Sequence, residues 1–118
     1  MKILVITAHP DDVDFGAGGT VATWVSEGHE VEYCLVTDGQ AGGSDNTITR
    51  EEMARIRRQE QTAAANVLGV TKLHWLGFPD GAVIPDLNLR REISAVIRMV
   101  KPDRVLTQSA ERRYDRIY

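Results

Sequence analysis

The chain has 118 residues, enough to bury the core of one domain (1–118) but too few for two. With 42% apolar and 26% charged residues it has the composition of an ordinary globular protein, and its formal net charge of −3 argues against a nucleic-acid partner. The single cysteine, Cys34, excludes a disulfide framework, and no apolar run is long enough for a membrane span or a signal peptide, so we expect a cytoplasmic protein with a reduced core thiol.

Predicted strands and helices alternate along the chain. Buried strands are predicted at residues 2–7, 31–37, 72–76 and 104–107. The intervening helices are predicted at residues 16–27, 49–68 and 87–100, with Thr49 and Glu52 as a capping box and longer connections at residues 38–47 and 77–86. The apolar residues expected to form the buried stripe of the second helix are Met53, Ile56, Ala63, Ala64, Val67 and Leu68. This order predicts an α/β fold, a Rossmann-like parallel sheet with helices on both faces.

Polar side chains follow each predicted strand. They occur in residues 9–12, at Asp38, in residues 78–81, and at Gln108 with Ser109. In a parallel sheet the carboxyl ends of the strands lie at one edge, and ligands bind there near the point where the strand order reverses. The sequence therefore predicts a ligand site at this edge.

The first of these segments carries the most specific chemistry. His9, Asp11 and Asp12 stand directly after a buried strand, and Pro10 favours an extended His9. Imidazole and carboxylate are zinc ligands, and a hydrolytic site also needs a carboxylate that accepts a proton from water. His9 and Asp12 could bind one cation while Asp11 acts as the base; an ordinary Pro-Asp-Asp turn is the alternative.

A glycine turn at residues 16–19 begins the first predicted helix and raises the alternative of a dinucleotide-binding domain. The helix dipole there favours an anion or a polar oxygen, and Asp38 ends the second strand where a ribose-binding carboxylate of a dinucleotide fold belongs. The Gly-x-Gly-x-x-Gly pattern fails, however, because Val21 stands where its last glycine is required. A dinucleotide site is therefore disfavoured.

Residues 8–20, Ala-His-Pro-Asp-Asp-Val-Asp-Phe-Gly-Ala-Gly-Gly-Thr, resemble the signature of the LmbE-like, or PIG-L-type, zinc-dependent N-acetylglucosaminyl deacetylases. The resemblance continues through residues 37–39, Arg57 with Glu60, residues 68–69 and residues 102–107, so it covers nearly the whole chain in order. The first motif is specific, whereas the others only support it.

The resemblance implies a Rossmann-like enzyme that removes an N-acetyl or related N-acyl group from a glucosamine-containing small molecule or conjugate. By the family pattern, His9 and Asp12 bind Zn²⁺ (other divalent metals also suit these ligands) and Asp11 is the general base. The residues expected to bind substrate or support the site are Asp14, Gly16, Asp38, Arg57 and Asp80. For Arg57, a solvated helical pair with Glu60 is the alternative.

The family takes its third zinc ligand from a His-x-Asp-His motif after the fourth strand, and residues 108–118 do not contain it. His29 precedes the second strand, at the opposite end of the sheet, and His74 is expected to be a half-buried sheet residue. We therefore interpret the chain as the N-terminal portion of a deacetylase, truncated after the fourth strand and inactive alone. The alternatives are a non-catalytic sugar- or nucleotide-binding module and an assembly surface; a homo-oligomer is left open.

Overall fold

Four parallel strands alternate with three helices in the computed structural model, which describes residues 1–10, 12, 17–38, 49–79 and 83–108. The strands are β1 (Lys2–Thr7), β2 (Glu30–Thr37), β3 (Lys72–Phe78) and β4 (Arg104–Thr107). The helices are α1 (Gly18–Ser26), α2 (Arg50–Val67) and α3 (Leu87–Val100). The predicted order of elements is confirmed, and β1, α3 and β4 have the predicted bounds.

The strands are hydrogen-bonded in the order β3-β2-β1-β4, and every pairing is parallel. The chain adds β2 and β3 on one side of β1 and then returns, through α3, to place β4 on the other side. Ile3 accordingly pairs with Val31 of β2 and with Arg104 of β4. The strand order reverses between β1 and β4, which is where open α/β sheets bind ligands.

Alternating side chains of β1 and β2 fill two apolar layers, one on each face of the sheet. Ile3 and Val5 pack with Val21 of α1 and Ala65 of α2 on one face. On the opposite face, the layer of α3 consists of Leu4, Ile6, Cys34, Val36, Val96 and Val100. Because both faces of the sheet are covered, the sequences of β1 and β2 are nearly continuous apolar runs. Each fully buried Leu or Ile side chain contributes roughly 1.5–3 kcal/mol to the free energy of unfolding.

The prediction that β3 ends at Leu76 is wrong, because pairing with β2 continues to Phe78. Leu35 pairs with Trp75 and Thr37 with Phe78, so two β3 residues lie opposite Val36 in a bulge. Gly77 accommodates this bulge with φ +74°, a left-handed conformation that glycine adopts without steric cost. The sequence prediction placed Gly77 at the start of a loop, whereas the structure places it in the bulge, one residue before the end of β3.

The buried stripe of α2 differs from the prediction. Gln61 and Ala65 are the buried residues of this helix, whereas Ala63 is exposed and Val67 is 86% exposed. Residues two positions apart lie about 200° apart around a helix, so burying Ala65 turns both of its apolar neighbours outward. The other four predicted residues, Met53, Ile56, Ala64 and Leu68, are partly buried, and Leu68 packs against the core, so the prediction is wrong only for Ala63 and Val67.

The ends of α2 are formed as predicted. The Thr49 hydroxyl accepts a hydrogen bond from Glu52 N at 3.1 Å, which is the N-cap half of the predicted capping box. At the other end, Gly69 has φ +90°, and a Cβ there would lie 2.7 Å from Val25 Cγ1. A side chain at this position would therefore strain the backbone and push α1 away from α2.

Cys34 is a free, fully buried thiol, as predicted. Burial disfavours the thiolate and raises the pKa of Cys34 from 9.0 to about 11. Within the described ranges, no helix combines the length and apolar character that a membrane crossing requires.

Candidate metal and substrate site

The carboxyl ends of β1 and β4 bring together side chains that are about one hundred residues apart in sequence. His9 follows β1 by two residues and Gln108 directly follows β4. Both therefore lie at the edge where the strand order reverses, as the sequence predicted for ligand-binding residues.

The backbone of Ala8 is held from both sides at this edge. Its N–H donates to Gln108 Oε1 at 3.1 Å, beyond the last β1–β4 pair. Its carbonyl accepts hydrogen bonds from Thr37 N at 2.9 Å and from Thr37 Oγ1 at 2.8 Å. Because the residue before His9 is fixed by the neighbours on both sides, the direction in which the chain leaves β1 is also fixed.

His9 and Asp12 lie side by side in this turn. The Asp12 Oδ2 atom is 3.7 Å from His9 Nδ1 and accepts the backbone N–H of His9 at 3.0 Å. The His9 side chain is 37% exposed and the Asp12 side chain 28% exposed, so both are reachable from solvent. Gln108 Nε2 donates to the same carboxylate oxygen at 3.2 Å.

The separation of the two donors suits a shared metal ion. Two ligands that are each about 2.0–2.2 Å from a tetrahedral Zn²⁺ are about 3.3–3.6 Å apart. The measured distance between His9 Nδ1 and Asp12 Oδ2 is 3.7 Å, so a small side-chain adjustment would bring both into coordination. Among the residues that the structure describes, no group of three or more His, Cys, Asp or Glu side chains could hold a metal ion. The role of His9 and Asp12 as metal ligands therefore stays a prediction.

A cavity of about 460 Å³ opens beside the pair, on the face of the sheet that α3 covers. Its polar lining includes His9, Thr37, Thr107 and Gln108, and its apolar wall includes Ile6, Val36, Leu89 and Ile93. A small ligand could thus place a polar group next to His9 while an apolar group contacts the α3 side.

Asp38 lies at the same edge but belongs to a second cluster. Its side chain is 7% exposed and receives two hydrogen bonds from Arg58, Nε to Oδ1 at 3.0 Å and Nη2 to Oδ2 at 3.1 Å. The Arg58 guanidinium also lies over the Trp75 ring, 5.1 Å from its centroid. Asp38 therefore braces α2 against the ends of β2 and β3, and its role in a substrate site stays a prediction.

The sequence prediction named Arg57 as a site residue and missed Arg58. The structure places Arg57 Nη1 3.3 Å from Glu60 Oε2 in a partly exposed pair, which is the alternative that the spacing left open. The sequence gives no signal that separates Arg58 from Arg57, because both stand at helical spacing from Gln61 and Ala65, the buried residues of α2. Arg57 as a substrate-contacting residue stays a prediction.

Gln108 is the other residue without a predicted role. Its position after the last strand placed it at the ligand edge in the sequence analysis, but nothing in the sequence linked it to Asp12. That contact depends on β4 pairing with β1, which is a property of the strand order.

Several predicted site residues lie outside the described residues. They are the proposed base Asp11 and the supporting residues Asp14, Gly16 and Asp80. Their roles remain predictions.

The remaining histidines lie where the sequence placed them. His29 precedes β2 at the amino end of the sheet, with Nδ1 3.0 Å from the amino group of Met1. His74 is a partly buried residue of β3, and its Nε2 is 2.8 Å from Glu32 Oε1 on β2. Neither contributes to the His9 cluster.

A family model matches residues 4–115 and describes PIG-L, GlcNAc-PI de-N-acetylase. Diacetylchitobiose deacetylase from Thermococcus kodakarensis is 40% identical over 105 residues, covering 89% of this chain and 39% of the relative. A solved structure of N,N′-diacetylchitobiose deacetylase from Pyrococcus horikoshii superposes with a TM-score of 0.86 at 38% identity, covering 88% of this chain and 39% of that one.

A solved structure of another activity is equally similar in shape. The 4-carboxy-2-hydroxymuconate hydratase from Pseudomonas putida KT2440 superposes with a TM-score of 0.86 at 27% identity, covering 96% of this chain and 49% of the hydratase. The chain thus spans two fifths to one half of the length of these three proteins.

Proposed function

This chain belongs to the PIG-L family, and we propose that it carries the water-activating part of a metal-dependent hydrolase. The reaction is removal of an N-acetyl or related N-acyl group from a glucosamine-containing small molecule or conjugate. The observation that carries the proposal is the His9–Asp12 pair, whose donors are 3.7 Å apart at the reversal of strand order and of which His9 lines a cavity.

His9 and Asp12 would hold the metal ion, which we propose is Zn²⁺, and a third protein ligand would come from outside the described residues. An imidazole nitrogen with a carboxylate oxygen is a common zinc donor set, and catalytic zinc normally has three protein ligands. When bound, the ion supplies Lewis-acid polarisation of the amide carbonyl and lowers the pKa of water.

The two adjacent aspartates would have separate roles. Asp12 accepts hydrogen bonds from His9 N and Gln108 Nε2, which fix its carboxylate beside the imidazole. Asp11, the preceding residue, would accept the proton of the attacking water and later return it to the departing amine. Two neighbouring carboxylates can divide these tasks because one is fixed and charge-compensated while the other is available for proton transfer.

The cavity suits an acylated amino sugar. Its polar lining at His9 and Gln108 can contact the amide and sugar hydroxyls, whereas the wall formed by Val36, Leu89 and Ile93 can contact the acyl methyl group. The activities named for the family and for the similar diacetylchitobiose deacetylases support this class of substrate.

A hydratase is the second candidate, supported by the structural similarity to the Pseudomonas putida hydratase. A hydratase adds water across a carbon–carbon double bond, whereas a deacetylase releases acetate and a free amine. The products therefore distinguish the two candidates directly.

The test uses the intact protein that contains this chain, loaded with Zn²⁺ and incubated with N,N′-diacetylchitobiose and other N-acetylglucosamine conjugates. We expect acetate release that a chelator abolishes, and a loss of about 10²- to 10⁴-fold in kcat in Asp11→Ala with metal binding retained. Acetate release that is insensitive to the chelator, or an Asp11→Ala variant as active as the wild type, would contradict the proposal. Hydration of an unsaturated acid without acetate release would favour the second candidate.

A further inference from the structure

The side-chain amide of Gln108 bridges two parts of the segment that follows β1. Its Oε1 accepts the Ala8 N–H at 3.1 Å, and its Nε2 donates to Asp12 Oδ2 at 3.2 Å. Gln108 is 96 positions from Asp12 in sequence and reaches it only because β4 pairs with β1.

The orientation of this amide is determined by its two partners. The Ala8 N–H can only donate, and an ionised carboxylate can only accept. Exchanging the oxygen and nitrogen of the Gln108 amide would set two donors against each other at Ala8 and two acceptors against each other at Asp12. A single orientation satisfies both contacts, so the bridge has a defined direction.

We infer that Gln108 is a positioning residue for the metal ligand Asp12, an inference that rests on the proposed function. Ligating carboxylates need hydrogen-bonding partners that hold the oxygen toward the ion. The backbone N–H of His9 is one such partner, but it moves with the same turn. Among the described hydrogen bonds, the one from Gln108 ties the Asp12 carboxylate to the end of β4, which is held in the sheet by its pairing with β1.

The position of Gln108 at the surface argues that it positions Asp12 rather than stabilising the core. Gln108 is exposed, and its neighbour Thr107 makes the comparable structural contact, from Oγ1 to the Ile6 carbonyl at 2.8 Å. Thr107 contacts neither His9 nor Asp12 in the described hydrogen bonds. A Thr107→Val variant thus removes one hydrogen bond from the same strand end and is a matched control for metal affinity, whereas kcat is not compared in it because Thr107 lines the cavity.

The experiment measures Zn²⁺ affinity by chelator competition in the intact protein, together with the melting temperature of the metal-free form. We expect Gln108→Met to lower the affinity about 10- to 100-fold, the usual effect of losing an outer partner of a ligand, and to lower kcat with KM nearly unchanged. Thr107→Val should leave the affinity within about threefold. Gln108→Asn, which is one methylene too short to span both partners, should lose affinity as well and serves if Gln108→Met does not fold.

Four results would count against the positioning role of Gln108 or against the metal site itself. Equal affinities in Gln108→Met and Thr107→Val would overturn the positioning role, as would a loss of affinity that only follows a loss of metal-free stability. His9→Ala serves as the reference for the proposed function. If His9→Ala retains wild-type affinity, the metal site itself is wrong, whereas a loss in His9→Ala without a loss in Gln108→Met or Gln108→Asn rejects only the inference about Gln108.

Discussion

Two of the imidazole–carboxylate pairs among the described residues share the same chemistry but differ in their surroundings, one at the carboxyl edge of the sheet and one within it. In the pair at the carboxyl edge, His9 Nδ1 and Asp12 Oδ2 are 3.7 Å apart, and the side chains are 37% and 28% exposed. In the pair within the sheet, His74 Nε2 and Glu32 Oε1 are 2.8 Å apart, and the exposed fractions are 20% and 5%. We call the first pair open, because solvent reaches both side chains and the two atoms are not in hydrogen-bond contact. We call the second pair closed, because its two side chains are hydrogen-bonded to each other and largely shielded from solvent.

The difference follows from position along parallel strands. Glu32 and His74 lie within β2 and β3, where the neighbouring strands and apolar side chains restrict the approach of another group, so each satisfies the other. His9 and Asp12 lie beyond the end of β1, where no strand pairing continues and a cavity adjoins. A histidine and a carboxylate in contact are therefore not by themselves evidence of a metal site. Whether such a pair can bind a metal ion depends on the space that its surroundings leave for the ion.

The largest expected effect is on metal binding. His9→Ala should lower Zn²⁺ affinity about 10²- to 10³-fold, because each of a few ligands supplies a substantial share of a binding free energy of about 10 kcal/mol or more. His74→Ala should change the affinity less than about threefold, because His74 lies in the closed pair. Chelator competition on both variants checks this, and equal losses would remove the distinction between the two pairs.

For the free energy of unfolding, we expect the opposite order, with a larger loss in His74→Ala than in His9→Ala. His74→Ala leaves the Glu32 carboxylate buried without its imidazole partner and should lower the free energy of unfolding by about 3 kcal/mol. His9→Ala should cost less than about 1 kcal/mol in the metal-free protein, because its partner can be solvated. Denaturant unfolding of the metal-free variants measures both values. The further substitution Glu32→Gln should recover part of the loss in His74→Ala, and a failure to do so would argue against an uncompensated charge as the cause.

The smallest effect concerns Cys34, which pairs with His74 across β2 and β3 and belongs to the closed region. Burial raises the pKa of Cys34 from 9.0 to about 11. Between these values the unfolded chain releases a proton that the folded chain retains, so stability falls as the pH rises, by at most about 2 to 3 kcal/mol.

The measurement compares the wild type with Cys34→Ala, which cannot lose this proton. The free energies of unfolding of the two proteins should run in parallel below pH 9, and the wild type should lose more stability between pH 9 and about 11. Parallel curves throughout would show that the thiol is not held in its protonated form by burial.

Much of the candidate site was predictable because its residues are close in sequence. His9 and Asp12 are separated by two residues and follow a strand whose apolar character is evident, so their proximity required no knowledge of the tertiary fold. The partners of Asp38 and Asp12 could not be predicted in this way. Arg58 rather than Arg57 reaches Asp38 because of the way α2 lies against the ends of β2 and β3, and Gln108 reaches Asp12 because β4 lies beside β1.

The sequence by itself determined the order and kind of the elements and many of their ends. Apolar runs specify buried strands, Thr49 caps α2, and glycines permit the left-handed turns at Gly28 and Gly69, because these choices depend on interactions between near neighbours. The tertiary structure decided the strand order, the buried face of α2 and the bulge at Gly77. Those outcomes depend on which apolar surfaces cover one another, a property of distant segments that no local pattern encodes.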